Sequence, residues 1–408
     1  MKFSKLSQLL LVSAIGLLVA TLLAACAINT IDYVFVANSA GSGTGSAGQI
    51  QTYDSDSATG ALRSGAPTIP SGGNDPVSMV VTGDFSNLYV VNKASNNVVH
   101  FALSGAGILT QKDVVTTSAT PVSVAVNAAE TYLYVVSGPD PTVLTAYALS
   151  SGTIGSVAAQ VTLTVPGYGS DTIIPTGVNV LANGNAVYVS SYDQSAYNPG
   201  CTPAPTCITS NANPGWVFGF ATGSGGALAP TAGSPYKAGI KPSALTSDPT
   251  NRFVYVTDFA SNELIGYTIQ SGNVLDFLIN GPFKTGNEPI SIVIDPRGKY
   301  IYVANQLDSS VSGYVIDLAT GTPSLAINST GSQSNSTDTT PVAVIVDPAI
   351  GRFVYTANQL GNSISGFVLN ADTGALQPSV STPYPTGDSP AALAAVPHGN
   401  HAIQVTSP

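Results

Sequence analysis

Pro289-Ile-Ser-Ile-Val-Ile-Asp-Pro-Arg-Gly-Lys-Tyr-Ile-Tyr-Val-Ala-Asn305 reads as two strands and the turn between them. Proline suits the first position of a strand, where no ladder donor is needed. Alternating aliphatics run to Ile294, and Asp295-Pro296 with Gly298 makes a tight turn. The second apolar run, from Tyr300, ends on a short polar residue, Asn305. The same phrase returns from Pro341 to Asn358. Its second half recurs at Tyr33–Asn38, Leu88–Asn92, Leu133–Ser137, Val187–Ser191 and Phe253–Asp258.

Aligned on their central aromatics (Phe35, Tyr89, Tyr134, Tyr188, Tyr255, Tyr302, Tyr355), the seven copies lie 54, 45, 54, 67, 47 and 53 residues apart. Such periods approach the 40–50 residues of a four-stranded propeller blade. A third strand follows each polar turn, as in Val311–Ile316 and Ile364–Leu369. An irregular fourth strand ends in a shared phrase: Ser234-Pro-Tyr-Lys, Gly281-Pro-Phe-Lys or Thr382-Pro-Tyr-Pro. The expected fold is all-β: a seven-bladed β-propeller of four-stranded antiparallel blades, with strand A of each blade innermost and strand D outermost. The first copy lacks an A strand. Residues 390–396, Pro-Ala-Ala-Leu-Ala-Ala-Val, read as that strand and would complete blade one from the other end of the chain. Residues 399–405 read as one further strand with no assigned place.

Composition fits this reading. Only 8% of the 408 residues are charged, while Gly and Pro number 41 and 28. Blades buried on both faces leave few places for ionised groups, and many short strands need many turns. With 12 basic against 22 acidic residues, no basic footprint exists for nucleic acid.

Residues 1–25 read as a secretory signal: Lys2 and Lys5, then an apolar stretch closing on Leu23-Ala-Ala-Cys26. This end resembles a bacterial lipobox. The resemblance implies cleavage, lipidation of Cys26, and a mature propeller of residues 26–408 anchored to the outer membrane. The membrane is then touched by the lipid anchor alone. Cys201 and Cys207, seven residues inclusive from first to last in a loop-like stretch, read as a disulfide in an oxidising compartment.

The repeated phrase is similar to that of the YVTN-type propellers. The Thr-Gly-Ala-Leu turns at Thr59–Leu62 and Thr373–Leu376, with the Pro-Tyr/Phe phrase, resemble the lactonase-like branch, which includes 6-phosphogluconolactonase. That resemblance implies a seven-bladed propeller and a lactone-hydrolysing relative. The His and Arg residues that such lactonases carry at the mouth have no counterpart in Val122–Tyr134, the matching segment of blade three.

In a meander blade, the B–C turns and D-to-A crossovers share one face. Of the residues before each A-strand proline, Asp75, Lys241 and Glu288 are charged and are the candidate catalytic groups. Asn38, Asn92, Asp258, Asn305 and Asn358, at the ends of B strands, are candidate ligand contacts, as is Trp216 after the long loop of blade four. Gly43–Gly48 matches Gly-x-Gly-x-x-Gly but precedes a strand, so no dinucleotide is expected. His398 and His401 lack a third ligand, and no Gly-x-Ser-x-Gly occurs. No metal or cofactor is expected. The sequence points first to a monomeric, lipid-anchored module binding an unidentified small molecule or protein, and second to a lactone hydrolase at the channel mouth.

Overall fold

The computed structural model describes residues 29–39, 47–166, 172–194, 214–326 and 331–399. They form seven antiparallel meander sheets. The innermost strands of successive sheets touch all the way round, closing a ring. Blade one takes its A strand, Pro390–Pro397, from the far end of the chain. That strand pairs with Thr30–Ser39 in the register Tyr33↔Val396, Phe35↔Ala394, Ala37↔Ala392. The expected closure is therefore present. The signal segment, Cys26, Cys201, Cys207 and the strand expected at 399–405 lie outside the described residues, apart from Gly399.

The B strands show why the repeat folds this way. All six residues of Tyr300–Asn305 are buried, as are those of Phe353–Asn358 and Phe253–Asp258. Successive strand residues face opposite sides. Tyr300, Tyr302 and Ala304 accordingly pack with Val344, Val354 and Phe367 of blade seven. Ile301 and Val303 pack with Phe253, Tyr255 and Leu264 of blade five.

The central tyrosine also carries a hydroxyl into this apolar layer. A buried hydroxyl without a partner is costly, and five of the six central tyrosines find one in the next blade's C–D turn. Tyr89 Oη donates to Gly152 O at 2.6 Å, and Tyr188 to Asn273 O at 2.8 Å. Tyr255 donates to Gly321 O at 2.6 Å, Tyr302 to Gly374 O at 2.8 Å, and Tyr355 to Gly60 O at 2.9 Å.

The outer strand differs from the expected single run. It is continuous only in blades two (Leu109–Thr116) and three (Thr153–Thr162). Elsewhere it splits into two short segments, as in blade five with Val274–Phe277 and Phe283–Lys284. The Pro-Tyr/Phe phrase forms the second segment in blades four, five and seven. Its last carbonyl accepts a hydrogen bond from the next blade's C-strand tyrosine: Tyr314 to Lys284 O at 2.6 Å and Tyr53 to Pro385 O at 2.7 Å.

The Asp-Pro carboxylates lie at the A–B turns, away from the B–C face, and cap the turn backbone. Asp295 accepts the Lys299 and Tyr300 N–H groups at 2.7 and 2.8 Å. Asp347, fully buried, accepts four backbone N–H groups between Ile350 and Phe353. Asp32 of blade one, also fully buried, meets Asp347 across the closing seam. Burial first, then the charge of Asp347 and a carboxyl–carboxyl contact with it, push the Asp32 pKa up to about 9. Asp32 is therefore held protonated beside Asp347, whose own pKa burial raises while four turn N–H groups oppose that shift.

Two outcomes are expected. Tyr302→Phe leaves the Gly374 carbonyl without its donor and costs about 1–2 kcal/mol in urea unfolding; an unchanged midpoint would show that the clasp does not stabilise the fold. For Asp32, the folded protein holds a proton that the unfolded chain releases above the ordinary carboxylate range. Its stabilising contribution is complete below that range and is lost as pH rises towards about 9. Asp32→Asn, which keeps a donor for Asp347, should gain melting temperature over wild type progressively from pH 5 to pH 9. A gap that stays constant with pH would contradict this.

Candidate functional site

The B–C face is organised by a belt of hydrogen bonds through the residues that precede the A-strand prolines. Their carbonyls accept from the residue just beyond each B strand. Phe259 N donates to Lys241 O at 2.9 Å, Gln306 N to Glu288 O at 2.8 Å, and Gln359 N to Thr340 O at 2.8 Å. Their N–H groups mostly reach back to the preceding blade. Thr120 donates to Asn96 Oδ1 at 2.7 Å, Glu288 to Asn262 Oδ1 at 2.8 Å, and Ser389 to Asn362 Oδ1 at 2.8 Å. Thr340 donates to Ser309 Oγ at 3.4 Å.

This belt holds the backbone in an unfavourable form. Asp75, Thr120, Glu288, Thr340 and Ser389 have φ between 53° and 61°. Left-handed geometry is uncommon outside glycine, and for a β-branched threonine it is a genuine outlier. Such strain persists only where the surroundings enforce it. In Thr120, Glu288, Thr340 and Ser389 both backbone polar groups are tied to neighbouring turns.

The belt brings two of the three candidate catalytic residues into one sector. Lys241, on blade five, is half-buried, with its amine 4.0 Å from the centre of the Phe259 ring and 5.8 Å from that of Tyr192. Burial lowers the Lys241 pKa, and the negative charges of Glu288 and Asp258 partly oppose that shift. Glu288, at the start of blade six, is half-buried and near enough for its charge to act on the amine without forming an ion pair with it. Asp75 lies elsewhere, at the junction of blades one and two, where it accepts a hydrogen bond from Ser39 Oγ at 3.2 Å. An ammonium beside a carboxylate, with aromatic rings excluding water from one side, can bind an oxyanion and accept a proton from water.

The B-strand termini are buried and donate or accept inside their blades, while Asn38 Oδ1 and Asn305 Oδ1 stay buried without a hydrogen-bond partner among the described residues. Asn38 donates to Gln51 Oε1 at 3.1 Å, and Asn92 to Asn97 Oδ1 at 2.9 Å. Asn305 and Asn358 each donate to two serine hydroxyls of the next strand. Asp258 accepts the Ile240 and Lys241 N–H groups at 2.7 and 2.9 Å, so it positions the Lys241 backbone. Trp216 is not on the mouth surface. It is the second residue of strand Gly215–Thr222, 8% exposed, and packs with Leu144, Val178 and Val189. Among the described residues no group of three His, Cys, Asp or Glu side chains is placed to hold a metal.

Sequence reasoning missed Phe259, Tyr192 and the turn residues Asn96, Asn262, Ser309 and Asn362. Their signal was positional: they follow the B-strand terminus or precede strand C, in turns that composition alone marks only as polar.

Residues 237–405 match the family described as Lactonase, 7-bladed beta-propeller. That stretch is similar to the family, and the described residues as a whole form a seven-bladed propeller. The periplasmic gluconolactonase of Pseudomonas aeruginosa superposes with a TM-score of 0.70 at 17% identity, covering 90% of this chain and 99% of that one. A candidate 6-phosphogluconolactonase of Bacteroides uniformis gives 0.67 at 18%, covering 90% and 100%. A Lactobacillus plantarum protein gives 0.69 at 14%, covering 90% and 99%. At such identities the likeness is one of fold. No curated protein matches the sequence.

Phe259→Ala should rehydrate the Lys241 amine and raise its pKa towards the ordinary lysine value, since burial is the larger cause of the present shift. The pH dependence of amine methylation, read by NMR, measures this. A value that stays put would remove Phe259 from the site.

Proposed function

We propose that the chain hydrolyses a lactone at the mouth sector of blades five and six, as a monomeric envelope protein anchored by lipid at Cys26. One observation carries this reading: the half-buried Lys241 amine, packed over Phe259 and within reach of the Glu288 charge, on the face where propeller loops converge. Similarity to the lactonase family over residues 237–405 supports it.

The chemistry assigns one role to each group. The Glu288 carboxylate takes a proton from water as its oxygen attacks the lactone carbonyl carbon. The Lys241 ammonium stabilises the oxyanion that forms. The ring C–O bond then breaks, and the leaving alkoxide recovers the proton from Glu288, giving a hydroxy acid. A positioned base contributes on the order of 10²–10⁴ in rate, and an oxyanion donor about 10²–10³.

The measurement is hydrolysis of a lactone panel by the mature chain. Glu288→Gln and Lys241→Ala should each lower kcat by about a hundredfold or more, while Asp75→Asn should leave it nearly unchanged. A wild-type rate no faster than buffer would sink the hydrolase. The second reading, a binding module, is favoured by the displacement of Asp75 from the sector. Saturable hydroxy-acid binding that is lost in Lys241→Ala, without turnover, would support it.

A further inference from the structure

The proposed site has the wrong charge for a phosphorylated substrate. All four arginines lie away from the B–C face. Arg252, Arg297 and Arg352 sit at A–B turns on the opposite side, and Arg63 lies in an outer strand, Leu62–Ser64. On the B–C turns and D-to-A crossovers, the described cations are Lys93 and Lys241. The acids there include Asp75, Glu288, Asp308, Asp338 and Asp388. Lys237 and Lys284 stand further out on strand D segments, and Lys284 pairs with Glu263 at 2.8 Å. A phosphate dianion is held by arginine forks, lysines and clustered N–H donors. In this sector the N–H groups of the belt are already taken up by Asn262 and Ser309, and the surrounding carboxylates repel a dianion.

The same arc carries exposed aliphatic groups. Leu307 is 65% exposed and Leu360 is 72% exposed. Each stands two residues after a buried strand-end asparagine, Asn305 or Asn358, on adjacent blades. The equivalent positions of blades two and five are Ala94 and Ala260, so this apolar pair is a feature of one sector. The belt ties it to the catalytic pair. Gln306, next to Leu307, donates to Glu288 O at 2.8 Å. Ser309, in the same turn, receives Thr340 N, and Thr340 O receives Gln359 N beside Leu360.

We infer that the substrate is an uncharged lactone bearing an aliphatic chain, its ring between Lys241 and Glu288 and its chain across Leu307 and Leu360. This rests on the lactone reading above. Each methylene moved from water onto an apolar surface is worth about two- to fourfold in affinity. A chain of several methylenes therefore gives a preference of at least about tenfold.

The test compares kcat/KM of the mature chain on an unsubstituted γ-lactone, the same ring with an octyl chain, and a 6-phosphorylated sugar lactone. The octyl compound should exceed the unsubstituted one by at least about tenfold, and the phosphorylated one should be slowest, improving as salt screens the acids. In a Leu307→Ser, Leu360→Ser double variant, whose exposed positions leave the core intact, the octyl-to-unsubstituted ratio should fall towards one. A phosphorylated lactone that is the best substrate, or a ratio that survives the double change, overturns the inference. Were no lactone turned over, the hydrolase reading alone would fall. The same ratio, measured as calorimetric affinity for wild type and double variant, would then decide this one.

Discussion

Five of the seven seams of this ring close on the hydroxyl of a B-strand tyrosine. The aromatic ring fills the layer between two blades, yet its oxygen must find a partner there or cost the fold more than the ring contributes. The partner is a carbonyl in the C–D turn of the next blade. Several of these turns contain glycine at positive φ. At Gly321 and Gly374 an added Cβ would come within 2.4 Å of Phe253 and Tyr300, the aromatics two residues before the clasping tyrosines. One turn thus accepts a hydrogen bond and receives an aromatic ring, and only a residue without a side chain satisfies both. Blade one has Phe35 at the tyrosine position, so its seam with blade two relies on packing and on Ile50, Val90 and Val99 nearby.

The opposite face of each blade is set by a second repeated constraint. The belt satisfies the polar backbone of the residue before each A-strand proline, and in five blades it does so by enforcing left-handed geometry. Backbone commitment frees the side chains of these residues. In blades five and six that places a lysine and a glutamate on adjacent blades; in blades three and seven it places threonines. Function on this scaffold is therefore a matter of which side chain occupies a position whose backbone is already fixed.

Charge is scarce enough that location decides its meaning. At the A–B turns, carboxylates are buried and consumed by backbone N–H groups. At the closing seam, Asp32 and Asp347 share a buried site with room for one negative charge. At the mouth, acids outnumber bases and stay partly exposed, where they shape which ligands approach.

The sequence by itself determined the architecture. The period, the proline before strand A, the Asp-Pro turn and the aromatic in strand B are local signals that repeat, and repetition makes them legible. It also placed Lys241 and Glu288 on the correct face, because strand order fixes which turns share an end. Blade order also put them on consecutive blades and Asp75 apart; what it did not show is the packing of the Lys241 amine over Phe259 and Tyr192. Trp216 looked like a loop residue until strand C was seen to begin at Gly215 and turn the ring into the core. Phe259, Leu307 and Leu360 are single apolar residues in polar turns, without periodicity to mark them. Only the tertiary structure decided their placement, because the hydrogen bonds that join one blade's turn to the next blade's first strand have no trace in local sequence.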